Sequence, residues 1–270
     1  MAVLATAASP PEVHAPDTSA DSPRFRGLAW GAVFVSAAGL LLAGFLSFDT
    51  WKAWVHDETG VMELLTVGYA LPASGVFAWL AWRGRRLPRL ARGWFAVMAL
   101  ASFYFAGEEA SWGQHVLGFE PPAFIADSNL QGEFNFHNAD AWYHDILNEW
   151  PRTAATACCL VGAGVLPFFV ADRRKLQGAA DRAWYWIVPT TTLVLPGLVA
   201  FTWNLPEKFL EDAYEGTQGW VDLAWVAAAD ETKEYFIALA ILIYAGSVFW
   251  RNTRLERAHS DTPQVDARQK

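Results

Sequence analysis

The fold is decided by the stretch GLAWGAVFVSAAGLLLAGFLSF, residues 27–48, which contains no charged side chain. Its 22 residues are enough for one membrane span, because an α-helix needs about 20 apolar residues to cross the core of a bilayer. The stretch therefore predicts a membrane-spanning helix in the first part of this 270-residue chain.

Five further apolar stretches follow, and each is close to the length of a membrane span. Together with the first, they predict spans at about residues 27–48, 61–82, 93–116, 153–171, 184–203 and 231–250. Pro189 and Pro196 lie inside the fifth stretch, where prolines are tolerated and usually kink the helix. We expect an all-α polytopic membrane helical bundle, and the apolar content of 53% excludes a disordered protein.

Basic side chains recur in every second connection and favour the cytoplasmic side of the membrane. Five of them lie between the second and third stretches: Arg83, Arg85, Arg86, Arg89 and Arg92. This pattern predicts that both termini are cytoplasmic, with disordered tails at 1–26 and 255–270 around a membrane domain at 27–254. The segment 119–151 is then an extracytoplasmic loop or an interfacial helix, which suits its Trp and Tyr residues.

The net charge of −8 combines two opposite charges that the membrane separates. The cytoplasmic segments carry 16 basic and 8 acidic residues, whereas the outer segments and outer helix ends carry 4 basic and 20 acidic residues. The net negative charge of the whole chain argues against nucleic-acid binding, because it would repel phosphate. The outer carboxylates are either a solvated surface or, for a subset of them, a cation or proton site.

A first cluster of polar residues lies where the third span reaches the outer surface. If the helix continues, Glu108, Ser111, Trp112 and His115 share one face, and Glu109 lies on the adjacent face. Two neighbouring carboxylates at a membrane boundary are costly unless they are paired, protonated or bound to a cation. The alternative is a helix end that has already left the hydrocarbon, where both carboxylates are hydrated.

A second cluster lies in the outer segment, where His137, Asp140 and His144 share a stripe if the chain is helical. Two imidazoles and one carboxylate on a single face are suitable ligands for Zn²⁺ or Fe²⁺, or a proton-transfer set. The alternative is an ordinary amphipathic helix on the outer leaflet.

A third group of carboxylates lies at the outer ends of two other spans. Glu231 and Glu234 are three residues apart at the start of the sixth span, which reaches about 20 residues only if both are included. Alternatively, Glu231 and Glu234 only stabilise the helix dipole, as acidic residues in a first helical turn do. Glu63 lies at the outer start of the second span and therefore on the same side.

A long pattern connects the first two clusters: Gly107-Glu108-Glu109-x-Ser111-Trp112-Gly113-Gln114, Gly118-Phe119-Glu120-x-Pro122 and Asn129-x-Gln131-x-Glu133-x-Asn135-x-His137-Asn138. It resembles the signature of an uncharacterised family of bacterial multi-pass membrane proteins, which implies a bacterial inner membrane location. No activity is established for that family, so the resemblance implies no catalytic role. Where the family often has Arg, this chain has His115, which weakens any ligand role for that residue.

The alternation of polar residues from Asn129 to His137 predicts an extended segment with one polar face. Such a face of amides and carboxylates either binds a polar ligand or locks a loop by hydrogen bonds. Both interpretations are compatible with the sequence.

Three functional hypotheses follow from these clusters. In the first, a divalent metal bound by His137, Asp140 and His144 activates water to attack a lipid-like substrate from the bilayer, with Glu108 or Glu109 as general base or ligand. In the second, the same carboxylates form the site of an ion- or proton-coupled transporter. In the third, the chain is a non-catalytic membrane assembly or scaffold protein.

Overall fold

The computed structural model describes residues 21–47, 60–140, 142–170, 183–203, 205 and 229–260. Within these residues, six helices are long and apolar enough to cross a membrane, which confirms the expected all-α membrane bundle. They are α1 (Pro23–Leu46), α2 (Val61–Arg83), α3 (Arg89–Glu109), α4 (Asp145–Phe169), α5 (Ala183–Thr202) and α6 (Ala229–Ser260).

The ends of the helices differ from the sequence-based boundaries. Residues 23–26 and 255–260, expected in the tails, are helical, while residues 1–20 and 261–270 lie outside the described residues. The start of α1 is fixed by Ser22, whose hydroxyl accepts a hydrogen bond from Phe25 N at 3.2 Å. This N-cap satisfies a backbone donor that the helix leaves unpaired.

Helix α6 is the central helix of the described bundle. In its most apolar window 78% of the residues are buried, against 17% in α1. The aromatic core lies on this helix, because Phe77 of α2 contacts Phe95 of α3 at 6.0 Å and Tyr244 of α6 at 5.5 Å between ring centroids. Tyr244 also accepts a hydrogen bond from Trp94 Nε1 at 3.0 Å and donates one to Ile187 O at 2.6 Å. One tyrosine therefore joins α3, α5 and α6.

Helices α4 and α5 are irregular. Helix α4 contains two π-helical segments, Asp145–Glu149 and Cys158–Val165. Helix α5 is interrupted at residues 188–190, around Pro189, whereas Pro196 lies within the regular segment Val194–Thr202. A break at a proline is expected, because the ring removes a backbone donor from the helix.

The two irregular helices approach each other most closely at Gly197 of α5. A Cβ atom added there would lie 2.5 Å from the Cβ of Ala163 and 2.7 Å from the carbonyl oxygen of Cys159. Because the Cys159 oxygen belongs to the backbone, α4 would have to shift to make room for any larger residue at position 197. Glycine at this position therefore permits the contact between α4 and α5.

We expect Gly197→Ala to lower the free energy of unfolding by roughly 1–3 kcal/mol, the usual cost of overpacking. Gly162→Ala is the matched control on α4, because a Cβ there would meet nothing within 4 Å. Thermal unfolding of the purified protein in detergent measures the difference. Equal midpoints for the two variants would show that the helices do not approach this closely.

The helix ends define two sides of the bundle. The basic side contains the starts of α1, α3 and α5 and the end of α6; there Ser247 Oγ donates to Asp21 Oδ1 at 2.9 Å and Arg92 Nε to Ala81 O at 2.8 Å. The acidic side contains the end of α3, the start of α6 and the connection from α3 to α4, which we call the α3–α4 loop.

Candidate functional site

Glu108 and Glu109 are adjacent at the end of α3 but contact different parts of the protein. Neighbouring residues of an α-helix are about 100° apart around its axis, so the two carboxylates diverge. Glu108 bonds to the α3–α4 loop, whereas Glu109 lies beside carboxylates of α6. The pair expected from the sequence therefore belongs to two separate groups of residues.

The carboxylate of Glu108 is a hydrogen-bonding centre of the α3–α4 loop. It is 4% exposed and accepts from Trp112 Nε1 at 2.7 Å, Phe136 N at 2.7 Å and His137 N at 3.1 Å. A buried carboxylate with three donors is well satisfied. Glu108 thus fixes the loop against the end of α3 and is engaged as an acceptor instead of being available as a base.

The contact between Trp112 and Glu108 requires an unusual backbone. Ser111 and Trp112 have φ angles of 42° and 49°, in the left-handed region that residues other than glycine rarely adopt. This turn ends α3 and places the Trp112 ring over Gly107, where an added Cβ would lie 2.9 Å from the ring. Strained backbone of this kind persists only where surrounding contacts fix it, and here Glu108 supplies one of them.

A second buried carboxylate, Glu133, holds the other end of the same turn. It accepts from Ser111 Oγ at 2.7 Å and Asn135 Nδ2 at 2.5 Å, and His115 Nε2 lies 2.8 Å from its other oxygen. The imidazole of His115 therefore pairs with Glu133. This contact explains His115 without a metal.

The remaining signature residues bond to one another within the loop. Asn129 Oδ1 accepts from Gln131 N at 2.9 Å and Glu133 N at 3.1 Å, and Gln114 Oε1 accepts from Phe134 N at 2.6 Å. Asn138 Nδ2 donates to Gln131 Oε1. Side-chain amides that satisfy backbone donors in this way are typical of a locked loop.

The structure does not bring His137, Asp140 and His144 together as a set of ligands. The chain between His137 and Asp140 runs through turns, so helical spacing does not apply. His137 Nδ1 lies 3.7 Å from Glu108 and has no hydrogen-bond partner among the described residues. His144 Nε2 lies 3.0 Å from Asn148 Nδ2, and Asp140 is exposed.

The group best suited to a metal ion is instead formed by Glu109, Glu231 and Glu234. Each offers one carboxylate oxygen, and these oxygens lie within 4.8 Å of one another. Glu234 is 7% exposed and Glu231 is partly exposed. In the part of the chain that the structure describes, this is the group of three or more acidic, His or Cys side chains close enough to share an ion. We call it the carboxylate group.

One arginine and one further glutamate act on the carboxylate group. Arg152 of α4 donates from Nε to Glu234 Oε1 at 2.8 Å and makes a second bond to the same oxygen. Arg152 and Glu63 also interact electrostatically with Glu109. Four helices, α2, α3, α4 and α6, thus contribute charges to one place on the acidic side.

Sequence reasoning did not single out Arg152, and it put Glu109, Glu231 and Glu234 on one side without showing that they form a group of their own. The available signal was that only four basic residues fall on the predicted outer side, namely Lys52, Arg152, Lys208 and Lys233. Arg152 lies close to the predicted start of an apolar span, where a charge is costly unless it is paired. A search for its acidic partner would have led to the sixth span.

These features define an integral membrane protein with a six-helix bundle, a loop fixed by buried polar residues and a carboxylate group at the acidic side. The chain matches no known family model, no curated protein and no solved structure. The resemblance of the loop to a bacterial membrane protein family stays a prediction.

Proposed function

We propose that this protein binds a divalent cation at Glu109, Glu231 and Glu234. The observation that supports the proposal is the mutual distance of at most 4.8 Å between their carboxylate oxygens. Mg²⁺, Ca²⁺ and Mn²⁺ prefer oxygen ligands of this kind. The cation would lie between the end of α3 and the start of α6, close to one surface of the membrane.

The balance of charge favours a cation at this place. With Glu63 included, four carboxylates act on this place, while the guanidinium of Arg152, which bonds to Glu234, supplies one positive charge. Like charges near a low-dielectric region repel strongly. A divalent cation would neutralise the excess and connect α3 to α6, whereas a proton would reduce the repulsion without connecting them.

We propose further that the bound cation serves the hydrolysis of a lipid-like substrate. A water molecule beside a divalent cation ionises more readily than bulk water. Glu231 is partly exposed, and its second carboxylate oxygen would take a proton from the attacking water. The water oxygen would bond to the ester or phosphoester centre of the substrate while the bond to the leaving oxygen breaks, and Glu231 would pass the proton to that leaving oxygen. The location at the ends of two spans suits a substrate whose polar part lies at the membrane surface and whose chains lie in the bilayer.

Mn²⁺ binding to the purified protein tests the cation site. We expect wild type to bind the ion, and Glu109→Gln and Glu234→Gln to lower the affinity at least about tenfold, because each removes one charged ligand. Calorimetric titration and the Mn²⁺ electron paramagnetic resonance spectrum measure this. Without metal, Glu109→Gln should instead raise the unfolding midpoint, because it relieves repulsion.

Asp140→Asn is the matched control, because Asp140 is an exposed carboxylate on the same side of the protein. It should bind Mn²⁺ as wild type does. Loss of binding in this variant would favour the His137–Asp140–His144 site over the carboxylate group. Absence of binding to wild type at millimolar Mn²⁺ would contradict the proposal.

Reconstituted protein separates the enzymatic function from ion-coupled transport. Proteoliposomes made from a bacterial lipid extract are incubated with Mn²⁺, and lipid fragments are followed by mass spectrometry. Hydrolysis predicts fragments that require both Mn²⁺ and Glu231, with Glu231→Gln inactive. Uptake of an ion or solute that depends on a proton or sodium gradient, without fragments, would favour the transporter.

A further inference from the structure

A charged side chain is completely buried at the basic side, toward the opposite end of α6 from Glu231 and Glu234. Arg251 lies near the end of α6 and is 0% exposed. No carboxylate of the described residues forms an ion pair with it. A buried arginine without a counter-charge is costly, because water no longer solvates the guanidinium.

The guanidinium of Arg251 is only partly satisfied. Its Nη1 donates to Tyr185 O at 2.8 Å, and its Cζ lies 5.6 Å from the ring centroids of both Tyr185 and Trp186. Its Nε and Nη2 atoms have no hydrogen-bond partner in the described part of the chain. The aromatic rings stabilise the charge, but they do not replace the two missing acceptors.

Two acidic residues of this region are engaged elsewhere, and one of them, Glu256, accepts from Asn252 Nδ2 at 3.1 Å. Asp21 is 9% exposed, and its carboxylate accepts from Ser247 Oγ at 2.9 and 3.0 Å and from Thr190 Oγ1. Its carboxylate therefore has hydroxyl donors from α6 and from the break in α5. Ser247 lies one helical turn before Arg251. The carboxylate of Asp21, which accepts from Ser247, and the guanidinium of Arg251 therefore lie at successive turns of α6.

The two unsatisfied atoms of Arg251 form one edge of the guanidinium. Nε–H and an Nη2–H bond point in the same direction from this planar group, and this pair binds two oxygens of one oxyanion. The geometry points to a ligand that the described residues do not supply. We propose that Arg251 is the centre of an internal oxyanion site that binds a phosphate group.

The surroundings of Arg251 favour an anion that approaches from the basic side. Arg254 lies three residues further along α6 and therefore on nearly the same face. Arg257, one turn further, is exposed. At this surface phosphate is offered either by a phospholipid head group or by inorganic phosphate in solution.

The experiment uses the full-length protein in nanodiscs of phosphatidylcholine. Its thermal unfolding midpoint is measured alone, with inorganic phosphate, and with phosphatidylglycerol added to the bilayer. We expect one of the two anions to raise the midpoint in a saturable manner, and native mass spectrometry to show one retained lipid if the head group is the source. Arg251→Gln should abolish this effect, and Arg251→Lys should weaken the anion affinity about tenfold, because lysine keeps the charge without the planar fork.

The exposed Arg257 provides the matched control, and Arg257→Gln should keep the anion effect unchanged. An equal loss of the anion-dependent rise in midpoint in Arg251→Gln and Arg257→Gln would show that the anion responds to surface charge only, and it would overturn the proposed site. A wild-type midpoint that responds to neither anion would also overturn it, whether or not the variants fold. Stabilisation by both anions to equal extents with one shared saturation would identify phosphate itself as the ligand.

Discussion

Glu108→Ala is expected to lower the free energy of unfolding by about 3–4 kcal/mol and to release the α3–α4 loop. The substitution removes the acceptor for Trp112 Nε1, Phe136 N and His137 N in a place that is 4% exposed. Each buried donor left without an acceptor costs about 1–3 kcal/mol, and relaxation of the loop recovers part of the sum. The unfolding midpoint in detergent and the rate of proteolytic cleavage within the loop measure the two effects.

Two further variants show whether the acceptor or the packing of Glu108 matters. Glu108→Gln keeps the size but replaces one accepting oxygen with a donor, so it should lose nearly as much stability as alanine. Asp140→Ala removes an exposed carboxylate from the same loop and should leave the cleavage rate unchanged. A Glu108→Gln protein as stable as wild type would contradict the role of this carboxylate as a hydrogen-bonding centre.

The six helices were predictable because each leaves a long uncharged or weakly charged stretch in the sequence. The expected first span, 27–48, coincides with most of Pro23–Leu46, and the expected second span, 61–82, with Val61–Arg83. A lipid environment requires every backbone donor and acceptor to be paired inside the helix, so length and hydropathy suffice to place a span. Length and hydropathy do not show which helices pack against one another.

The end of α3 shows where local periodicity fails. The pattern of Glu108, Ser111, Trp112 and His115 is helical, but the helix ends at Glu109 and the chain enters the left-handed turn at Ser111. The turn is held by hydrogen bonds to Glu133, 22 residues further on. No window of local sequence contains this contact, so the tertiary network overrides the helical spacing.

The candidate site was only partly predictable for the same reason. Glu63, Glu109, Glu231 and Glu234 were expected on one side, because the topology determines the side on which each helix end lies. Their grouping depends on the direction in which each side chain points from its helix. Glu109 points toward α6, whereas Glu108 points toward the α3–α4 loop. The sequence puts Glu109 on the face next to that of Glu108, about 100° away, but it does not show which part of the protein each face contacts.

Arg152→Ala is expected to be the most destabilising single change at the carboxylate group, at about 3–5 kcal/mol. The side chain of Glu234 is 9% exposed and that of Arg152 is 24% exposed, so removal of the guanidinium leaves a buried carboxylate near Glu109 and Glu231 without its partner. Glu234→Gln in the same protein should restore most of the loss, because it removes the stranded charge. Chemical unfolding of the single and double variants gives the coupling energy between the two residues.

Divalent cations provide a second test of the Arg152→Ala protein, because a bound cation supplies the positive charge that the arginine no longer provides. Mn²⁺ should therefore stabilise Arg152→Ala more than wild type, and it should have little effect on Arg152→Ala/Glu234→Gln, which has lost a ligand. Arg257→Ala, at the exposed basic end of α6, should show the wild-type response. If Mn²⁺ stabilises all four proteins equally, the ion binds outside the carboxylate group. If the arginine variant loses stability that Mn²⁺ restores, then the guanidinium and the cation neutralise the same carboxylates.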